Sequence, residues 1–263
     1  MTMTIRAGIG GWVFPPWRDT FYPVGLRQAD ELAFASRHVT AIEINATYYS
    51  MQKRESFAKW AAATPEEFVF AIKGSRFCTN RRVLAEAGES VERFFGQGLA
   101  ALGDRLGPIL WQFMQTKRFD ADDFACFLDL LPRQIEGLPL RHAVEVRHAS
   151  FADAAFVELC RDRRVAICCS DNADWPLIAD VTADFVYGRL MRGEDTIATG
   201  YPPDALDAWA SRCRMWRDGG APADLPALAP APPPAPRDVF AFFISGGKSR
   251  APAAAMALME RTG

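Results

Sequence analysis

Eight short apolar runs alternate with amphipathic stretches along this 263-residue chain, and each run leaves through polar or aromatic residues. The sharpest is 40–50. Ile42 and Ile44 alternate with Glu43 and Asn45, the period of a short strand. Residues 41–44 are apolar enough to be buried on both sides. A carboxylate inside such a strand is costly unless a cation or hydrogen-bond donor meets it. Asn45, Thr47, Tyr48 and Tyr49 then form a polar and aromatic exit.

The same grammar recurs. Residues 7–10 end in Gly10-Gly11-Trp12, and 68–73 leave through Lys73-Gly74-Ser75-Arg76. Residues 108–113 leave through Gln112 and Gln115-Thr116-Lys117-Arg118, 142–146 through Arg147-His148, and 165–170 through Asp171-Asn172. Residues 185–190 carry Tyr187 and Arg189, and 239–244 run into Ser245-Gly246-Gly247-Lys248-Ser249. Helices are expected at 29–37, 55–63, 90–102, 120–131, 151–163, 203–216 and 253–260, with one helical turn at 174–178. This is βαβ spacing, which predicts a parallel sheet covered by helices. Eight units in this length fit a (β/α)₈ barrel of the TIM type. No Gly-x-Gly-x-x-Gly follows the first strand, which argues against a doubly wound dinucleotide fold. No linker divides the chain, so 1–263 reads as a single domain. Residues 219–236 are dense in proline and lack aromatics. They are expected to form an extended, largely disordered surface loop inside the last repeat, one that tolerates shortening.

Net charge is −2, so no overall pull toward nucleic acid or membrane is expected. The apolar runs fall short of the ~20 residues of a membrane span. The N-terminus shows no signal-peptide core, so a cytoplasmic location is expected. The six cysteines show neither Cys-x-x-Cys nor zinc spacing and read as buried thiols in a reduced compartment. Cys78 is set apart, because Lys73 and Arg76 precede it and nearby cations lower a thiol pKa.

In a (β/α)₈ barrel the chemistry sits at the C-terminal strand ends. There the sequence offers Glu43, Glu145, His148 and Asp171 as candidate catalytic groups. Trp12, Asn45, Tyr48, Lys73, Arg76, Gln112, Arg147, Tyr187, Arg189, Ser245, Gly246, Gly247 and Lys248 are candidate ligand-binding groups. Glu43 and Glu145 suit a glycosidase acid and base. The reading that takes precedence is that each is an internal ion-pair partner of Arg147, Arg189 or Lys73, which buried carboxylates inside barrel strands need. An oxygen set of Glu43, Glu145 and Asp171 would suit magnesium or manganese. Weighed against those ion pairs, no metal or cofactor is assigned. His148 is either a general acid–base or a satisfied strand-end side chain. Ser245-Gly246-Gly247-Lys248-Ser249 is either a phosphate-cradling loop or an ordinary Gly-Gly turn. It is not a Walker A loop, since Phe242 stands where its first glycine belongs. Basic residues crowd the exits, among them Arg76, Arg81, Arg82, Lys117, Arg118, Arg192 and Arg250. The leading expectation is therefore an enzyme acting on an anionic, phosphate-bearing small molecule or nucleotide at a positive C-terminal face. The alternative is a non-catalytic binder of such a ligand or of a nucleic-acid end, and a glycosidase comes third.

Several motifs together resemble one family. Gly10-Gly11-Trp12 with Phe21-Tyr22-Pro23, Glu43-Ile44-Asn45-Ala46-Thr47-Tyr48-Tyr49, Phe70-Ala71-Ile72-Lys73, Glu145-Val146-Arg147-His148-Ala149-Ser150 and Ala183-Asp184-Phe185-Val186-Tyr187 are similar to the DUF72, or YecE-like, proteins. The resemblance runs from about Gly8 to the last helix. It implies a TIM-barrel fold and supplies no activity. Three departures stand out. Phe113-Met114-Gln115 follows Gln112 where the family runs Leu-Pro-Pro. Met191 follows Arg189-Leu190 where it has histidine. Ser245-Gly246-Gly247 replaces an Asn/Asp-rich turn, while Ala251-Pro252 is kept. Family chemistry resting on that histidine or that Asn/Asp turn is left open for this chain.

Overall fold

The computed structural model describes residues 3–263. Eight parallel strands close into a barrel: β1 (Ile5–Gly10), β2 (Ala41–Ile44), β3 (Val69–Lys73), β4 (Leu106–Gln112), β5 (His142–Glu145), β6 (Ala166–Asp171), β7 (Phe185–Leu190) and β8 (Asp238–Phe243). Each pairs with its sequence neighbours, and β8 closes the ring on β1, with Ile5 opposite Val239. The (β/α)₈ expectation is met. The principal helices are α1 (Glu31–Ala35), α2 (Arg54–Ala62), α3 (Gly88–Phe95), α4 (Ala121–Asp129), α5 (Ala154–Asp162), α6 (Pro203–Arg217) and α7 (Ala251–Thr262). No helix among the described residues is long and apolar enough to cross a membrane.

The period-2 pattern sorts each strand into an inner and an outer set. Ala41, Ala71, Ala143, Ala166 and Cys168 point inward with Leu110, Phe185, Tyr187, Phe240 and Phe242. Small side chains on β2, β3, β5 and β6 thus face large aromatics on β7 and β8. A Cβ on Gly8 would lie 2.2 Å from the Ala41 carbonyl oxygen and 3.0 Å from the Phe242 ring. Only glycine fits that position. The outer set, including Ile42, Ile72, Trp111 and Val144, packs under the helices. At the N-terminal end Asp238 accepts from Arg141 at 2.8 Å and from the Thr4 amide at 3.0 Å, and Arg141 lies over the Phe185 and Phe240 rings. That end is sealed by polar and cation–π contacts, as expected of the structural face of a barrel.

Four local expectations need correction. Residues 174–178 form a bend and an irregular stretch rather than a helical turn, so the β6–β7 connection carries no helix. The expected helix 90–102 breaks at Gly98, which has φ +93° and lets α3 give way to a 3₁₀ segment, Leu99–Arg105. Cys126 is exposed. Cys78 is fully buried, and desolvation pushes its thiol up to about 12 despite the lowering influence of Arg81.

The proline-rich segment 219–236 also departs from expectation. It lies on the surface but follows a pinned path. Pro222 and Leu225 are buried. The Asp180 carboxylate accepts from the Leu228 and Ala229 amides at 2.8 and 3.0 Å. Arg161 donates to the Pro230 carbonyl at 2.8 Å, and the Ala179 amide to that of Pro226 at 3.2 Å. Proline restricts the unfolded chain, so a few anchors order this strap at low entropic cost.

Candidate functional site

The C-terminal mouth is built from alternate residues of five strands. Glu43 on β2, Lys73 on β3, Gln112 on β4, Glu145 on β5, and Tyr187 and Arg189 on β7 belong to the inward set and converge. Arg147, just past β5, bends back over them.

Arg189 is the hub. Its Nη2 donates to Glu43 Oε1 at 3.0 Å and its Nη1 to Glu145 Oε2. Tyr187 donates its hydroxyl to Glu43 Oε2 at 2.7 Å. Arg147 Nε donates to Glu145 Oε1 at 2.6 Å, and its Nη2 to Gln112 Oε1 at 2.9 Å. Both glutamates are 0% exposed. Burial opposes charge on Glu145, but the guanidiniums of Arg189 and Arg147 outweigh it and hold the carboxyl below the usual range. Desolvation works against Arg189 as well, and Glu145 and Glu43 reverse it, so the guanidinium stays charged. Desolvation, then Glu43, pushes the Tyr187 hydroxyl well up.

This geometry overturns the acid–base role expected of Glu43 and Glu145. Each carboxylate has both oxygens engaged and neither meets solvent, because charge inside a barrel persists only with its partners. A divalent ion would have to displace Arg189 from both. No cluster of three metal-ligating side chains forms among the described residues.

Lys73 differs from these paired groups. It is 7% exposed, and among the described residues no carboxylate lies within 4.0 Å of its ammonium. Its Nζ sits 4.4 Å from the Tyr48 ring centroid, a cation–π contact. Desolvation, then Arg189, pull its pKa down from 10.5 to about 8, more than Glu43 and Glu145 restore. Two carboxylates therefore face two guanidiniums and one ammonium, leaving the mouth one positive charge in surplus. Trp175 covers one side, its ring 4.3 Å from the Arg147 guanidinium, and its buried Nε1 has no hydrogen-bond partner. Sequence reading missed Trp175, although an aromatic four residues past a strand end was a usable signal.

The remaining candidates are not brought to this point. Asp171 follows inward Ser170 and so points outward, into a side cavity of about 460 Å³. There Tyr201 donates to it at 3.3 Å and Arg192 lies 4.0 Å away. Burial raises its carboxyl pKa. Trp12 turns its ring edge-on to Trp60 and Phe70 in the outer layer. His148 accepts the Ser150 amide on Nδ1 at 3.1 Å, capping a short turn, so it serves backbone structure. Asn45 donates to the Glu43 carbonyl at 3.2 Å. Arg76 is exposed between the Tyr49 and Phe77 rings.

The Ser245–Lys248 turn packs against the β7 exit instead of opening toward the mouth. Gly246, at φ +62°, leaves no room for a Cβ, which would meet the Met191 carbonyl at 2.2 Å. Lys248 places its Nζ 4.5 Å from the Phe14 ring, and the Ser249 amide donates to Asp195 at 3.1 Å. A carboxylate of the chain itself thus takes a donor that a phosphate would need.

The family model described as "Protein of unknown function DUF72" matches residues 6–263, almost the whole barrel. The chain belongs to the DUF72 family. DUF72 relatives include the UPF0759 protein YecE of Escherichia coli K12, 27% identical over 150 residues, which are 56% of this chain and 50% of YecE. The UPF0759 protein YunF of Bacillus subtilis is 26% identical over 159 residues, 59% of this chain and 54% of YunF. The matched stretch thus spans about half the length of these curated relatives. A crystal structure of a DUF72 family protein from Thermotoga maritima superposes with a TM-score of 0.73 at 19% identity, covering 98% of each chain. One from Enterococcus faecalis gives 0.70 at 15%, covering 98% of this chain and 95% of its own. These neighbours share the fold.

Proposed function

We propose that this DUF72 protein is a barrel enzyme acting on a small anionic, phosphate-bearing molecule at its C-terminal mouth, with Lys73 as the proton-transferring amine. The observation that supports this reading is the isolation of Lys73. A lysine inside the barrel with no carboxylate partner is neutral often enough near pH 8 to accept a proton from a bound substrate. It becomes an ammonium that Glu43 and Glu145 favour at longer range, and it can return that proton to the product. Perturbed titration in a charged setting is a mark of working sites. While Lys73 is protonated, the one positive charge in surplus favours an anion over a cation.

The second reading, a non-catalytic binder of the same ligand, draws support from the sealing of Glu43 and Glu145, which removes two other proton-transfer groups. The glycosidase reading loses both its carboxylates to Arg189.

Reductive labelling tests the proposal, because the chain has only five lysines, at 53, 59, 73, 117 and 248. Pyridoxal 5′-phosphate with borohydride at pH 8 should modify Lys73 first. Labelling that follows exposure, with Lys53 and Lys59 ahead of Lys73, would count against a poised amine.

A further inference from the structure

We infer that a second groove, beside the mouth, is a phosphate-binding site that anchors an organic phosphomonoester. It lies between the exit of β3 and the exit of β4 and encloses about 690 Å³. Arg81, Arg82, Lys117 and Arg118 line it against Asp120 and Asp123. Four cations face two carboxylates, an excess of two positive charges.

Internal pairing does not consume that excess. Lys117 and Asp123 neutralise one another at 2.6 Å. The Asp120 carboxylate accepts the Asp123 amide as the N-cap of α4. Arg81 donates to the Phe77 carbonyl and to Ser90 Oγ, both neutral. Arg82 and Arg118 are exposed, and among the described residues their guanidiniums make no hydrogen bond or ion pair. Two free guanidiniums on neighbouring loops supply the forked donors that suit phosphate oxygens.

A third feature points the same way. Thr79 lines the groove, is 1% exposed, and among the described residues its Oγ1 has no hydrogen-bond partner. A buried hydroxyl left unmatched costs stability, so a ligand oxygen that accepts from it supplies the missing contact. Val83 and Met114, at 40% and 42% exposed, add apolar wall. That wall suits an ester with an organic body better than a bare inorganic ion.

Side-chain contacts link the groove to the mouth. Asn80, another lining residue, donates to the Tyr48 hydroxyl at 3.4 Å, and the Tyr48 ring lies against Lys73. The inference deepens the proposed function by naming an anchor for its phosphate. Binding here does not need proton transfer at Lys73, so either reading can fail alone.

The test is calorimetric titration with inorganic phosphate and with adenosine monophosphate at low salt. Wild type and Lys73→Met should bind both, the ester more tightly, and binding should weaken as salt screens the exposed charges. The double variant Arg82→Ala/Arg118→Ala removes two exposed, unpartnered side chains and should fold normally. It should bind at least ten-fold more weakly, whereas Lys248→Ala should match wild type. Undiminished binding in the double variant, or loss confined to Lys248→Ala, would overturn the groove. So would wild type that binds neither probe.

Discussion

Arg189 Nη2 lies 3.0 Å from Glu43 Oε1, and the same guanidinium reaches Glu145 through Nη1, so one buried cation on β7 holds two buried carboxylates, one from two strands away around the barrel and one from three strands away in the other direction. β2 and β5 do not pair with β7 directly. Arg189 therefore acts as a strut across the mouth.

Glu43→Gln should destabilise the protein by about 3 kcal/mol, the low end for breaking a buried pair, because Arg189 keeps its charge and loses a counter-charge. Chemical denaturation at pH 7 measures this. An unchanged midpoint would mean that Glu43 contributes nothing to the strut.

Acid should weaken the fold through His142. Its Nδ1 accepts from Trp111 Nε1 at 3.2 Å and its Nε2 lies 2.8 Å from the Pro132 carbonyl, so the ring is held neutral. Desolvation lowers its pKa from 6.5 to about 4, more than the Pro132 contact restores. Between those values the unfolded chain binds the extra proton. The contribution is therefore complete above pH 6.5 and is lost as pH falls toward 4. The shift corresponds to about 3 kcal/mol. His142→Gln should show a shallower loss of stability across that window. Parallel curves for the two proteins would remove His142 from acid unfolding.

Asp180→Ala should lower stability by about 2 kcal/mol, since the strap loses two charge-assisted hydrogen bonds to the Leu228 and Ala229 amides. Protease cleavage within 222–230 should accelerate in the variant. Equal cleavage rates would restore the expectation of a loose loop.

Lys73→Met should stabilise the protein at neutral pH. The lowered pKa means that the unfolded chain binds more protons between about 8 and 10.5. The burial penalty is thus fully present below pH 8 and is relieved as pH rises toward 10.5. Its removal is worth of order 1–3 kcal/mol after the lost cation–π contact with Tyr48 is set against it. A variant less stable than wild type at pH 7 would show that the ammonium is held favourably.

The barrel was legible because its signal is repeated. Eight runs with period 2 and polar exits survive errors at single boundaries, such as the missing turn at 174–178. The buried role of Glu43 was also legible, since a carboxylate between Ile42 and Ile44 must find a cation. Convergence is harder to see in the sequence, because it depends on strand parity up to the last residue of each run. Ser170 rather than Asp171 continues the inner set of Ala166 and Cys168, which sends Asp171 to the side cavity. Trp12, His148 and the Ser245–Lys248 turn lie away from the mouth for another reason. Their partners, Trp60, the Ser150 amide and the β7 exit, depend on how neighbouring loops dock, and no local pattern records that. The same limit hid the groove, whose free guanidiniums come from two separate loops.

The most direct measurement is the titration of Lys73 itself, followed through its side-chain ¹³Cε resonance and assigned with Lys73→Met. The account predicts a midpoint near 8, rising when Arg189 is replaced, because that guanidinium is the second-largest cause of the depression. A midpoint near the ordinary 10.5 would contradict it and leave Lys73 a solvated cation with no special chemistry.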